Sequence, residues 1–171
     1  MTKFLGGLIV VSVLAFAGWL WAQDDRVAFP QGYEKEFTRY HTFNKLRKGK
    51  PSLKELWINA TGAGVKEGQP LPHGTVIVMT TYSVKSENDS PAKDDNGLYV
   101  PKKLRRIDVM RKEKGYGELY GDKRSGEWEY ATFEPDGKLK KGNATRCAAC
   151  HLEKAAKTDF VFTTEKIAMK K

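Results

Sequence analysis

The stretch "RCAACHLEKAAKTDFVFT" holds both cysteines of the 171-residue chain, Cys147 and Cys150, and His151 follows at once. No other segment restricts the chain so strongly. Two cysteines three apart with histidine next is the spacing of covalent haem attachment. On one helical turn the two thiols reach the two vinyl groups of one porphyrin. The next residue then projects its imidazole toward the iron from the same face. Thioether bonds keep the haem in place even in a partly open pocket. His151 is the expected proximal ligand, and the expected cofactor is one covalently attached haem c. Other uses of the motif compete. A thioredoxin-like pair opens a helix after a strand in a βαβ pattern, which is not seen around residue 147. A zinc site needs further ligands at set spacing, and the remaining histidines, His41 and His73, are isolated. Counting alone leaves a simple disulfide open.

The N-terminus fits a chain that works outside the cytoplasm. Lys3 precedes the apolar run "FLGGLIVVSVLAFAGWLWA" at residues 4–22, and "QDDR" then turns abruptly polar. A secretory signal and an uncleaved membrane anchor both fit. Small-x-small cleavage points occur at "AFA" (residues 15–17) and, less well, at "LWA" (residues 20–22). The expected division is therefore a leader or anchor over residues 1–22 and one haem domain over 23–171, in the periplasm. That remainder is long enough to bury a core.

The formal net charge is +9, and of the charged residues only Lys3 lies in the leader. A basic surface attracts nucleic acid, anionic lipid or an acidic protein. Export argues against nucleic acid, and the arginine–aromatic interleaving of a base-stacking groove is missing. A solvated lysine-rich surface is the plain reading, and an acidic redox partner the sharper one.

Along the chain, residues 33–50 have helical spacing at Tyr33, Phe37, Tyr40 and Asn44, with Phe43 and Leu46 beside them, and Gly49 and Pro51 as a stop. Residues 55–60 suggest a short strand. Residues 75–84, "TVIVMTTYSV", are β-branched and aromatic and give the strongest strand signal. Residues 85–101 suggest a surface loop. Strands are expected at 104–113 and 127–134, the second followed by the turn "PDGK". A helix is expected at 147–157, rich in alanine, and a last strand at 160–167. Helix, several strands, helix and strand together imply an α+β domain, an antiparallel β-sheet with flanking helices.

Several segments, taken in their order along the chain, resemble the cytochrome P-460 superfamily. "CAACHLEKAAKTDFVFT" is similar to its C-terminal signature, where the haem motif leads into a lysine-rich turn and an Asp-x-Val-Phe-Thr segment. "LPHGTVIVMTTYSV" is similar to its Gly-Thr-Val strand, and "DVMRKE" and "GEWEYATFEPDG" to its middle strands. The resemblance covers most of the chain beyond residue 30. It implies a homodimeric, mainly antiparallel-sheet haem protein of one of two kinds. Cytochromes P-460 oxidise hydroxylamine and link a lysine to the porphyrin. Cytochromes c′-beta lack the link and bind nitric oxide. In the first kind the pattern is Gly-Thr-Val-x-Val-Lys-Glu. Here "GTVIVMT" puts Met79 at the lysine position and Thr80 at the glutamate position. A thioether cannot make the nitrogen bond to the porphyrin. Other lysines, including Lys85 and Lys166, lie elsewhere.

Strand alternation puts Thr75, Ile77, Met79 and Thr81 on one face, and the resemblance turns that face to the haem. Met79 is then a distal iron ligand, a flexible apolar cap over an open iron, or a plain core residue. Met110 suggests core and Met169 a mobile tail. His41 offers a bis-His alternative. Phe37, Tyr40, Phe43, Trp57 and Tyr82 are candidates for bulk over the iron, and Arg105, Arg106, Arg111 and Arg124 for partners of the haem propionates. The expected function is a mono-haem cytochrome of the c′-beta kind that binds small N-oxides such as nitric oxide. A His/Met electron carrier serving a partner oxidoreductase is the alternative, and a hydroxylamine-oxidising enzyme or peroxidase a third.

Overall fold

The structure, a computed structural model, describes residues 26–142 and 144–169. The apolar run at 4–22 and its cleavage points lie outside the described residues. Strands β1 (Thr38–Arg47), β2 (Lys50–Ile58), β3 (Val76–Val84), β4 (Ser86–Glu87), β5 (Ser90–Pro91), β6 (Pro101–Lys112), β7 (Trp128–Phe133) and β8 (Leu139–Lys140) are joined by helices α1 (Tyr33–Glu36), α2 (Ala60–Ala63), α3 (Ala144–Ala155) and α4 (Thr164–Ala168). A six-stranded antiparallel sheet has the order β1-β2-β3-β6-β7-β8, and β4 and β5 form a separate hairpin. This is the α+β class expected, an antiparallel sheet with helices against it. No helix among the described residues is long and apolar enough to cross a membrane.

The expected helix at 33–50 is corrected. Only Tyr33–Glu36 is helical, and Thr38–Arg47 is an edge strand. The Gly49 signal is a hairpin turn rather than a helix stop. Lys48 and Gly49 both have positive φ, 49° and 73°, as a two-residue type I′ turn requires. Tyr40 sits at a bulge between Arg39 and His41, so it is buried with residues of the opposite alternation. The bulge lets Tyr40 share the cavity face with Phe43 three residues on, which regular strand alternation would not allow. Residues 85–101, expected as a plain loop, contain the β4–β5 hairpin, again with two positive φ values at Asn88 and Asp89. β2 begins at Lys50, ahead of the expected start, because it pairs with β1 along its length.

The expected strand at 160–167 is also corrected. Asp159 and Phe160 take φ of 52° and 61°, and α4 follows. The β-forming residues here do not pair with a strand. Val161 and Ile167 instead pack into the core.

The sheet is covered on both faces. One face carries Trp57, Val78, Ile107, Val109, Ala131 and Phe133 beneath Val27, Phe29 and Tyr33. The other carries Leu56, Ile58, Ile77, Met110 and Tyr130 against Ala148, Val161 and Ile167. Each fully buried large side chain, such as Ile58 or Val78, contributes roughly 1.5–3 kcal/mol by leaving water. On the second face the packing opens into a cavity.

Candidate functional site

Helix α3 presents Cys147, Cys150 and His151 at helical spacings of three and four, hence on one face. Ala148, fully buried, lets the helix lie close to the layer beneath it. Both cysteines are free thiols; Cys147 is half-buried and Cys150 exposed. Burial pushes the Cys147 thiol up, with Asp108 adding to the effect, so the unmodified side chain is neutral. His151 lies between Tyr130, 4.8 Å away, and Phe162, 4.7 Å away, centroid to centroid.

The His151 ring has a defined tautomer. Its Nδ1 is 2.6 Å from the Phe160 carbonyl oxygen, and a carbonyl can only accept. Nδ1 therefore donates, and in the neutral ring Nε2 keeps its lone pair. Burial lowers the His151 pKa, partly offset by the Phe160 bond. A neutral imidazole is what a metal ligand must be.

The acceptor carbonyl is held from several sides. Phe160 N donates to Ala155 O at 2.8 Å, and Thr158 Oγ1 donates to Val161 O at 2.8 Å. Trp128 Nε1 donates to Asp159 O at 2.9 Å. The Asp159 carboxylate accepts from Lys112 Nζ and from Leu71 N. Left-handed backbone at two consecutive non-glycine residues costs about 1–3 kcal/mol each and persists only where the surroundings over-determine it.

Opposite the helix, cross-strand pairing sorts the sheet face into rows. Ile58, Ile77, Met110 and Tyr130 form one row. Leu56, Met79, Asp108 and Thr132 form the next. Phe43, Lys54, Thr81 and Arg106 form the third. The face thus grades from apolar to cationic. Between it and α3 lies a cavity of about 550 Å³, lined mainly by apolar side chains, within the ~300–1,000 Å³ of ordinary small-molecule sites.

Met79, Cys147 and His151 all line this cavity, and Cys150 is not among its lining residues. His41 lies on β1, not on a helix, and stacks on Phe43 at 5.2 Å and 17°. It is not among the lining residues, and burial lowers its pKa. Met110 is core, as expected, and also touches the cavity. Of the aromatic candidates, Tyr40 and Phe43 line it. Trp57 and Phe37 pack on the far face of the sheet, and Tyr82, next to Thr81 on β3, alternates to that face. Of the arginine candidates, Arg106 lines the cavity and pairs with Asp108 at 2.8 Å. Arg111 is bound to Glu113, Arg124 to the Gly126 and Tyr116 carbonyls, and Arg105 is exposed.

Lys54, Asp108, Tyr130 and Phe162 were not anticipated at the site, yet all line it. Lys54 could have been found: it alternates with Leu56 and Ile58, so an apolar face at 56 and 58 carries residue 54 with it. Burial lowers the Lys54 pKa, and Arg106 lowers it further. Tyr40, whose hydroxyl shares a 2.9 Å hydrogen bond with Thr163 Oγ1, has its pKa pushed up to about 12 by burial.

An apolar cavity closed by a helix that offers a neutral imidazole and a thiol fits a haem. Among the described residues no three of His, Cys, Asp and Glu gather as a metal cluster. The fold and pocket are those of a haem-binding cytochrome. The cytochrome P460 family model matches residues 30–163, and the chain belongs to that family. No curated protein matches the chain.

Proposed function

We propose that this is an exported cytochrome with one covalently attached c-type haem, of the cytochrome c′-beta kind, which binds small N-oxides such as nitric oxide. One observation carries the reading: the cavity that receives Cys147 and His151 also receives Met79. Cys147 and Cys150 hold the haem through thioether bonds, and His151 Nε2 ligates the iron. When bound, the haem supplies the iron centre that takes up the small ligand. Met79 caps that centre without a strong bond, while Tyr40 and Phe43 restrict its surroundings to small molecules. A residue that offers a thioether where the family's enzymes offer an amine does not form their porphyrin link, so hydroxylamine oxidation is not the activity proposed.

The same placement of Met79 supports a second reading, a His/Met electron carrier serving a redox partner protein. Residues 4–22 act as signal peptide or membrane anchor, residues 23–171 form the haem domain in the periplasm, and the functional unit is a homodimer.

Denaturing electrophoresis and intact-mass measurement test the proposal together. Haem should stay on the polypeptide, at the mass of apoprotein plus one unmodified haem, and Cys147→Ala with Cys150→Ala should prevent attachment. Haem lost on acid extraction would sink the c-type assignment. A mass two hydrogens lower, with a strongly red-shifted ferrous band, would restore a cross-linked enzyme, with Lys54 the amine at hand.

A further inference from the structure

The cavity contains a cation that the proposed function leaves without a task. Lys54 Nζ lies 2.9 Å from Thr81 Oγ1 and 3.8 Å from Met79 Sδ. Both partners are neutral, and the second is a weak acceptor, whereas an ammonium carries three donors. Among the described residues no carboxylate forms an ion pair with Lys54. Asp108, the acid on the same face, is taken by Arg106 Nε and Thr132 Oγ1, each at 2.8 Å. Glu55, adjacent in sequence, faces the other side of the sheet and binds Arg39 at 2.7 Å. Lys45, also on the cavity wall, adds a second positive charge.

Charges withdrawn from water are normally paired. Lys54 belongs to the cationic row of the wall; Asp108 attracts it through space but accepts its hydrogen bonds from Arg106 and Thr132, so the ammonium keeps donors for an anion. Coulomb attraction is stronger there than in water, because the surroundings screen it less. Charge-assisted hydrogen bonds are also about twice as strong as neutral ones. The position is specific: the ammonium touches the same sulfur that the proposed function sets over the iron.

We propose that Lys54 is the recognition element of a small-anion subsite beside Met79, which takes inorganic anions of two or three atoms that ligate ferric iron. The inference rests on the proposed reading of Met79 and deepens it. With haem bound, Lys54 would donate a charge-assisted hydrogen bond to the free end of an iron-bound anion. The site then prefers anions on the ferric form over neutral ligands of similar size. A lysine that merely bound a haem carboxylate, or merely capped Thr81, would confer no such preference.

The test titrates the ferric haem-loaded protein with azide, an anion, and with imidazole, a neutral ligand, and follows the absorption spectrum. Wild type, Lys54→Met and Lys54→Arg are compared, with haem content and thermal unfolding confirming that each variant is folded. Lys54→Met should weaken azide about tenfold or more and leave imidazole nearly unchanged. Lys54→Arg, which keeps the charge, should retain the azide preference. If Lys54→Met leaves azide affinity unaltered, or lowers azide and imidazole alike, the inference is overturned. Met79→Ala serves as the separate control. Faster binding of both ligands supports the capping position, and no change in either overturns that position. The azide-to-imidazole ratio in Lys54→Met decides the inference independently.

Discussion

Lys112 Nζ contacts both carboxylate oxygens of Asp159 at 2.9 Å and the Leu71 carbonyl at 2.8 Å, one residue before the carbonyl that orients His151. Lys112 is 8% exposed. Removing one partner of such a pair strands the other charge. Asp159→Asn keeps a residue that tolerates left-handed backbone but deletes the charge. It should lower the unfolding free energy by about 3 kcal/mol, read by denaturant titration. A loss indistinguishable from that of an exposed pair would show that Lys112 finds water instead.

Gly126 is the second support of this loop. It has φ of +60°, and a Cβ there would lie 2.6 Å from the Phe160 ring. Gly126→Ala therefore meets both a backbone penalty of about 1–2 kcal/mol and a clash that pushes on Phe160. The variant should lose about 2 kcal/mol or more and show an altered iron–histidine vibration, because Phe160 O holds the His151 ring. Wild-type stability in that variant would mean that the loop yields freely.

Two glutamates near the start of β7 should give opposite pH signatures. Glu127 is held below its ordinary value by the Gly115 N–H and by His73. Its contribution is present above the unfolded value of 4.5 and lost as pH falls through the lower folded value. Glu129 is raised by burial, opposed by the Gly117 N–H and Arg26. The folded state then holds its proton longer than the unfolded chain, so stability falls as pH rises above 4.5. Unfolding curves across this range should show the deficit of Glu127→Gln shrinking below 4.5. Relative to wild type, Glu129→Gln should gain as pH rises above 4.5. Parallel curves for wild type and both variants would contradict these assignments.

Met79→Ala separates the two readings of the haem site. With a capping but unbound sulfur, the variant should bind nitric oxide faster and change the resting spectrum only modestly. A fully low-spin resting protein whose thioether-to-iron charge-transfer band disappears in Met79→Ala would make electron transfer the better reading. No effect on either would leave Met79 a core residue.

Several elements follow from local sequence. β3, β6 and β7 were legible because their β-branched and aromatic residues fit a pleated, buried surface wherever it lies. The helix around Cys147 was legible from its alanines, and the bringing together of Cys147, Cys150 and His151 on one face is a matter of helical period alone. Even so, the edge strand Thr38–Arg47 was not legible. Its spacing of aromatics is compatible with a helix, and only pairing with Lys50–Ile58, across a turn at Lys48 and Gly49, selects the strand. Residues 160–167 show the same dependence on distant partners. Their β-formers have no strand to pair with and instead supply a carbonyl to His151 and a side chain, Val161, to the core.

For the site, the sequence by itself determined which residues can chemically hold a haem, since thiols and imidazole at that spacing depend on nothing else in the chain. Only the tertiary structure decided what faces them. Met79 and Lys54 lie on different strands and meet because β2 and β3 pair in the register Leu56 opposite Met79 and Lys54 opposite Thr81. A one-residue slip of either strand would turn its side chain to the other face and part the two. That register is set by the burial of Ile58 and Ile77 against the helix layer, a non-local energy that no window of the sequence contains.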